Sequence, residues 1–203
     1  QTPENRSGAV SGPSVPDVEP TPTPQAQPAE PRAPMPSART GKGGVLRLAD
    51  GRELSVRYAV VELEDLVPSH NPREGFEPMP GGDRNERPYQ DPTEGAEPRA
   101  TFRGIAEKPK PDLMHADSPT PVDGPPMVDE TGVVLGGNAR TMAQSLIYAG
   151  EHADGWKTIV EVDAEKFGLD ASGMSEPVIV RIVEEPGRPG ELSRVLNEGL
   201  TTA

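Results

Sequence analysis

The chain contains no cysteine, which excludes disulfides, thiolate metal sites and a cysteine nucleophile. Aromatic residues make up only 3% of it, and 26 prolines and 22 glycines among 203 residues leave too little to bury for a core that uses the whole length. No apolar run approaches the roughly 20 residues that cross a bilayer, and no signal-peptide apolar segment is visible. Bases are outnumbered by acids, 20 to 33. The imbalance is local: residues 1–44 hold four acids and four bases, so the remainder carries the whole formal charge of −13. A domain that acidic repels a phosphate backbone, which argues against non-specific duplex DNA binding by this piece alone. It still leaves room for a small basic pocket such as one for a nucleotide. The first residue is Gln1 rather than Met, as expected of a processed chain or a piece of a longer one.

What is present falls into two parts. Residues 1–44 are low in complexity and hold ten of the prolines, which predicts a disordered, partly polyproline-II linker. At Val45 the pattern changes. VLRLADGRELSVRYAVVE places two β-rich runs around Asp50-Gly51, a turn dipeptide, and predicts a hairpin. After LEDLVPSHNPR (63–73), residues 74–98 read as a long irregular loop, and a loop of that length is usually functional or mobile. Within it, NERPY (85–89) could fold over a pocket. A short helix is expected over 99–107, with Phe102, Ile105 and Ala106 on one side. Residues 154–168 carry both strand and helix signals; Trp156, Ile159, Val160, Ala164 and Phe167 share a helical face, and a helix is the reading chosen. PVIVRIV (177–183) reads as a buried strand, and ELSRVLNEGLTTA begins a further helix.

GPPMVDETGVVLGGNARTMAQSLIYAG (124–150) carries the clearest chemistry. PMV and VVL flank DETG, so a hairpin should deliver the chain to Gly136-Gly137. The helix that follows has its apolar stripe at Ala139, Met142, Ala143, Leu146 and Ile147, with Asn138 as the expected N-cap and Gly150 just past the end. Free N–H groups and the positive dipole end at that terminus, with the forked cation of Arg140 in the first turn, suit a phosphate. A plain strand–turn–helix junction, with Arg140 paired to Asp129 or Glu130, fits the spacing as well. Neither GxxxxGK[ST] nor GxGxxG occurs.

Three separated segments resemble the ParB/sulfiredoxin superfamily, and within it the DdrB-like ParB domains of phage and mobile-element polyvalent (defence-against-restriction) proteins. LEDLVPSHNPR is similar to the first box, GPPMVDETGVVLGGNARTMA to the G-x-x-R box with Gly137 and Arg140, and PVIVRIV followed by RVLNEGL to the strand and helix of the third. The resemblance implies an α+β fold over 45–203, a small mixed sheet flanked by short helices. It implies a nucleoside triphosphate, CTP or ATP, with Mg²⁺ as its companion, held at Gly136, Gly137, Asn138, Arg140 and Thr141. Arg73 and Asn197 would join that nucleotide site, and Glu198 would be the catalytic residue, placing the metal. Implied partners are the nucleotide and other domains of a larger polyprotein-like chain, with DNA engaged only indirectly and no membrane. The implied location is the cytoplasm of a bacterial host or the virion. Whether the module is an enzyme stays open. NTP hydrolysis or phosphoryl transfer, a non-catalytic interaction scaffold and a nuclease are the alternatives, the last disfavoured by acidity. Ala139 stands where ParB clamps keep a second arginine, and the third box reads Asn-Glu rather than Glu-Asn. Sulfiredoxin's cysteine is missing, and the helix-turn-helix of ParB proteins is not present in this piece.

Other candidates have plainer readings. His70, His115 and His152 lack metal-ligand spacing, so structural or surface roles are expected and no metal site is assigned to them. Glu62, Glu64 and Asp65 read as a solvated strand edge rather than an acid/base set.

Overall fold

The computed structural model describes residues 32–83, 96–184, 194 and 196. Strands β1 (Arg39–Arg47) and β2 (Glu53–Glu62) form the expected hairpin, antiparallel, with Leu46 opposite Leu54. Its turn closes because Gly51 adopts φ +85° and the Asp50 carboxylate accepts the Arg52 N–H at 3.0 Å. β1 begins well before Val45, so part of the segment read as linker belongs to the sheet. RTGKG carries no alternating apolar pattern because it pairs through its backbone alone. It is bulged between Thr40 and Gly43, and the Lys42 N–H bonds the Phe167 carbonyl at 3.0 Å. Even Met35 is buried, its N–H bonded to Glu130 O. Residues 1–31 of the expected linker lie outside the described residues.

Past a single 3₁₀ turn (Leu63–Asp65), β3 (His70–Asn71) and β4 (Glu77–Pro78) make a two-stranded ribbon, whose second strand lies inside the stretch read as loop. NERPY lies outside the described residues. Helix α1 (Ala96–Glu107) starts a little before the expected 99 and buries Phe102. A one-turn helix α2 (Pro111–Met114) follows, with proline at its first position. β5 (Met127–Val128) and β6 (Val134–Gly136) are the hairpin around DETG, and α3 (Asn138–Tyr148) is the helix after it. α4 (Ala153–Glu165) decides the ambiguous segment in favour of helix, with Trp156, Val160, Ala164 and Phe167 buried.

The apolar run PVIVRIV is β7 (Pro177–Val183), the middle strand of a five-stranded mixed sheet ordered β1-β2-β7-β5-β6. It runs antiparallel to β2 and parallel to β5. A strand covered on both faces needs no alternation, which is why the run is continuous. Val178, Ile179 and Val180 are fully buried, and each such side chain contributes about 1.5–3 kcal/mol. α4 packs on β7, and α3 lies between α4 and α1. The chain is therefore α+β, a mixed sheet with short helices. No helix among the described residues is long and apolar enough to cross a membrane.

Candidate functional site

The junction between β6 and α3 is built by two glycines with different tasks. Gly136 is buried, and a Cβ there would collide with the Met127 methyl. Gly137 takes φ +84°, a left-handed backbone that costs an L-residue about 1–2 kcal/mol. It is Gly137, not Asn138, that caps α3, and no side chain closes the cap. The expectation for Asn138 fails because the left-handed glycine already turns the chain into the helix, making Asn138 its first residue. The Asn138 side chain then points back: Oδ1 accepts the Ser69 N–H at 2.8 Å, and Nδ2 donates to Val134 O at 3.4 Å. Thr141, fully buried, donates its hydroxyl to Gly137 O at 3.3 Å.

These bonds lace the first segment to the second. Val67 N–H bonds Gly132 O at 2.8 Å, and Val134 N–H bonds Val67 O at 3.1 Å. The Asp65 carboxylate, far from being solvated, accepts from the Ser37 N–H and hydroxyl. Glu62 likewise caps two backbone N–H groups, those of Ser175 at 2.7 Å and Glu176 at 2.8 Å. Both acids are structural ties.

Arg140 folds back over the turn. A Cβ on Gly137 would lie 2.9 Å from its Nη2 and 3.1 Å from its Nε. Its other contacts are backbone carbonyls, Nη1 to Val122 O at 2.5 Å and Nη2 to Pro121 O at 3.1 Å. The expected partners Asp129 and Glu130 are not engaged; Asp129 accepts from the N–H groups of Thr131 and Val133 in its own turn. Burial pushes the Arg140 guanidinium down to about 10, with Asp123 acting in the opposite sense. It stays charged at neutral pH.

A second arginine, not singled out by the sequence reading, completes this region. Arg181, in the centre of β7, is fully buried. Its Nε bonds Pro125 O at 2.9 Å, Nη1 bonds Ser118 O at 3.1 Å and Thr120 O at 3.0 Å, and Nη2 bonds Asp123 O at 2.8 Å. Burial, and then the charge of Arg140, lowers it to about 10. Neither guanidinium is in an ion pair among the described residues. The signal for Arg181 was a lone charge inside a continuous apolar run.

The remaining candidates are spread out. Arg73 lies along the other half of α3, Nε to Ser145 O at 2.9 Å and Nη2 at 3.2 Å from both oxygens of Glu176. The Asn71 side chain, accepting the Arg73 N–H at 3.0 Å, sets that direction. Seven residues of helix, roughly 10 Å, separate Ser145 from Asn138. Arg73 and Arg140 are not brought together. Asn197 and Glu198 lie outside the described residues, but Leu196 packs against the turn, its Cβ 3.7 Å from where a Gly136 Cβ would stand. His115 is buried and paired with Asp163 Oδ2 at 2.7 Å, while His70 stacks on Phe76 at 4.4 Å and His152 is exposed. Among the described residues no group of three or more His, Asp or Glu is placed to hold a metal. A groove of about 470 Å³, lined by Ala106, Leu146, Ile147, Trp156 and Ile159, opens at the far end of α3.

The turn thus offers open first-turn N–H groups, a positive dipole end and a forked cation, which can hold an anion. No curated protein and no solved structure matched the chain. A family model, the ddrB-like ParB superfamily domain, matches residues 49–184, which is more than half of the chain and spans β2 to β7 with the glycine turn between. The chain belongs to the ddrB-like ParB superfamily.

Proposed function

We propose that the glycine turn binds the phosphates of a nucleoside triphosphate, CTP or ATP arriving as its Mg²⁺ complex. The observation that carries this reading is Gly137 at φ +84° with the Arg140 guanidinium folded over it at the start of α3. Backbone N–H groups would take phosphate oxygens from one side and the guanidinium from the other. Leu196 beside Gly136 supports a role for the residues that follow it, Asn197 at the phosphates and Glu198 at the metal. On this reading the domain is a nucleotide-dependent module of a phage or mobile-element protein that protects or processes DNA, engaging DNA through other parts of a longer chain. If turnover occurs, it is hydrolysis or phosphoryl transfer, with Glu198 as the catalytic group.

Calorimetric titration of the wild type with CTP, ATP and GTP plus Mg²⁺, repeated on Arg140→Ala, tests the proposal. Binding should weaken about 10- to 100-fold in the variant, the loss expected for one or two charge-assisted bonds. Equal affinity in both proteins, or no binding to the wild type, contradicts it. One observation favours a scaffold instead: Asn138, Thr141 and Arg140 all find partners within the chain. That reading predicts no heat with any nucleotide.

A further inference from the structure

Six of the eight residues in 118–125 give their backbone carbonyls to two guanidiniums. Ser118, Thr120, Asp123 and Pro125 serve Arg181, while Pro121 and Val122 serve Arg140. The two clamps differ in strength and place. Arg181 rises from the middle strand, is fully buried and holds both ends of the loop. Those ends have further ties, Arg47 N–H to Pro119 O at 2.6 Å and Gly124 N–H to Leu113 O at 2.8 Å. Arg140 holds only the middle, from the first turn of α3.

Carbonyls satisfy the geometry of a guanidinium but do not neutralise its charge, whereas a phosphate does both. Arg140 also sits at the positive end of a helix dipole and beside a second buried cation. Its bonds to Pro121 and Val122 are therefore the ones an incoming polyanion displaces most readily. Val122 is already 50% exposed, so letting go of this middle uncovers little apolar surface.

We infer that the 118–125 loop is a latch on the phosphate turn, held shut by the bonds of Arg140 to Pro121 and Val122 and released when Arg140 turns its N–H donors to phosphate oxygens. Arg181 keeps the loop's ends in place throughout. The inference rests on the phosphate reading above and adds a consequence that binding alone does not require, a change at Pro121 and Val122.

Hydrogen–deuterium exchange over 118–125, run beside calorimetry with tripolyphosphate, Mg·ATP and Mg·CTP, separates the two. In the wild type, saturating ligand should speed exchange of the Thr120 amide, which donates to Ser118 Oγ at 3.3 Å, by about tenfold or more as the middle of the loop opens. In Arg140→Ala, exchange should be fast without ligand and unchanged by it, while the β7 amides stay as protected as in the wild type. A dye on Val122→Cys, a unique label in a chain without cysteine, should report the same release with Arg140 intact. Binding heat with unchanged exchange and unchanged dye signal overturns the latch and leaves the phosphate reading standing. Absence of heat with all three ligands overturns the phosphate reading and the latch's trigger with it. A loop as protected in folded Arg140→Ala as in the wild type overturns the latch whatever binds.

Discussion

Two arginines attach to α3, Arg140 in its first turn and Arg73 against the Ser145 carbonyl near its last, and the helix treats them oppositely. A cation near a helix C-terminus meets the negative end of the macrodipole and is stabilised by about 0.3–1 kcal/mol. Arg73 has that setting and adds the Glu176 carboxylate at 3.2 Å. Folding alone accounts for it. Arg140 has the reverse: the positive dipole end, a second buried guanidinium nearby, and two neutral carbonyls as partners. Stability gives little reason to keep a cation there; the proposed phosphate would supply one. On the proposed function, position along one helix separates an arginine that holds the fold from one that binds the ligand.

Four changes sharpen or break this contrast. The largest effect belongs to Arg181, whose loss leaves four carbonyls, one buried and three partly buried, without their donors. Arg181→Ala should lower unfolding free energy by at least about 3 kcal/mol in urea titrations; a near-neutral result would show that the 118–125 loop does not depend on its clamp. Next comes Gly137→Ala, which forces a side chain into φ +84° against Arg140. It should cost about 1–2 kcal/mol of stability and a larger share of nucleotide affinity, measured by denaturation and calorimetry on the same preparation. An affinity unchanged by this substitution would detach the turn from the ligand.

The third change is in pH. His115 is held below its ordinary value of 6.5 by burial, with the Asp163 contact opposing. The unfolded chain then takes up a proton that the folded one resists, so stability falls as pH drops below about 6.5, by at most about 1.4 kcal/mol per pH unit. Asp163, also lowered in balance because the Lys166 and His115 bonds outweigh burial, acts near and below its ordinary 3.8, outside that window. His115→Asn should flatten the melting temperature between pH 7 and 5. A slope that survives the substitution would place the titrating group elsewhere. The smallest effect is Arg73→Ala. Its ion pair is about one-third exposed on each side, and screened pairs are worth about 0–1 kcal/mol. Chemical denaturation should register a loss within that range.

The sequence was most legible where side-chain pattern determines structure. The Asp50-Gly51 hairpin, the buried PVIVRIV strand and the apolar stripe of α3 all follow from periodicity and turn chemistry. It was least legible where backbone does the bonding. The Arg39–Gly44 part of β1 pairs without apolar residues, and the carbonyls of 118–125 have no residue type to announce them. Asn138 has the chemistry of a cap, yet the left-handed Gly137 took that task and freed its amide for Ser69. The likeness of the Asn71-Pro72-Arg73 turn to a nucleotide-site segment supplied chain order but not side-chain direction, and Arg73 runs to the other end of the helix. Arg181 was visible as a charge within a hydrophobic run; only the structure shows what it clamps.

The central claim is that Arg140 is there for an anion and Arg73 for the fold. Titrating Mg·CTP and Mg·ATP into wild type, Arg140→Ala and Arg73→Ala tests it most directly. The account predicts that Arg140→Ala weakens binding about tenfold or more while Arg73→Ala binds like the wild type. Equal losses in the two variants, or a loss confined to Arg73→Ala, would contradict it.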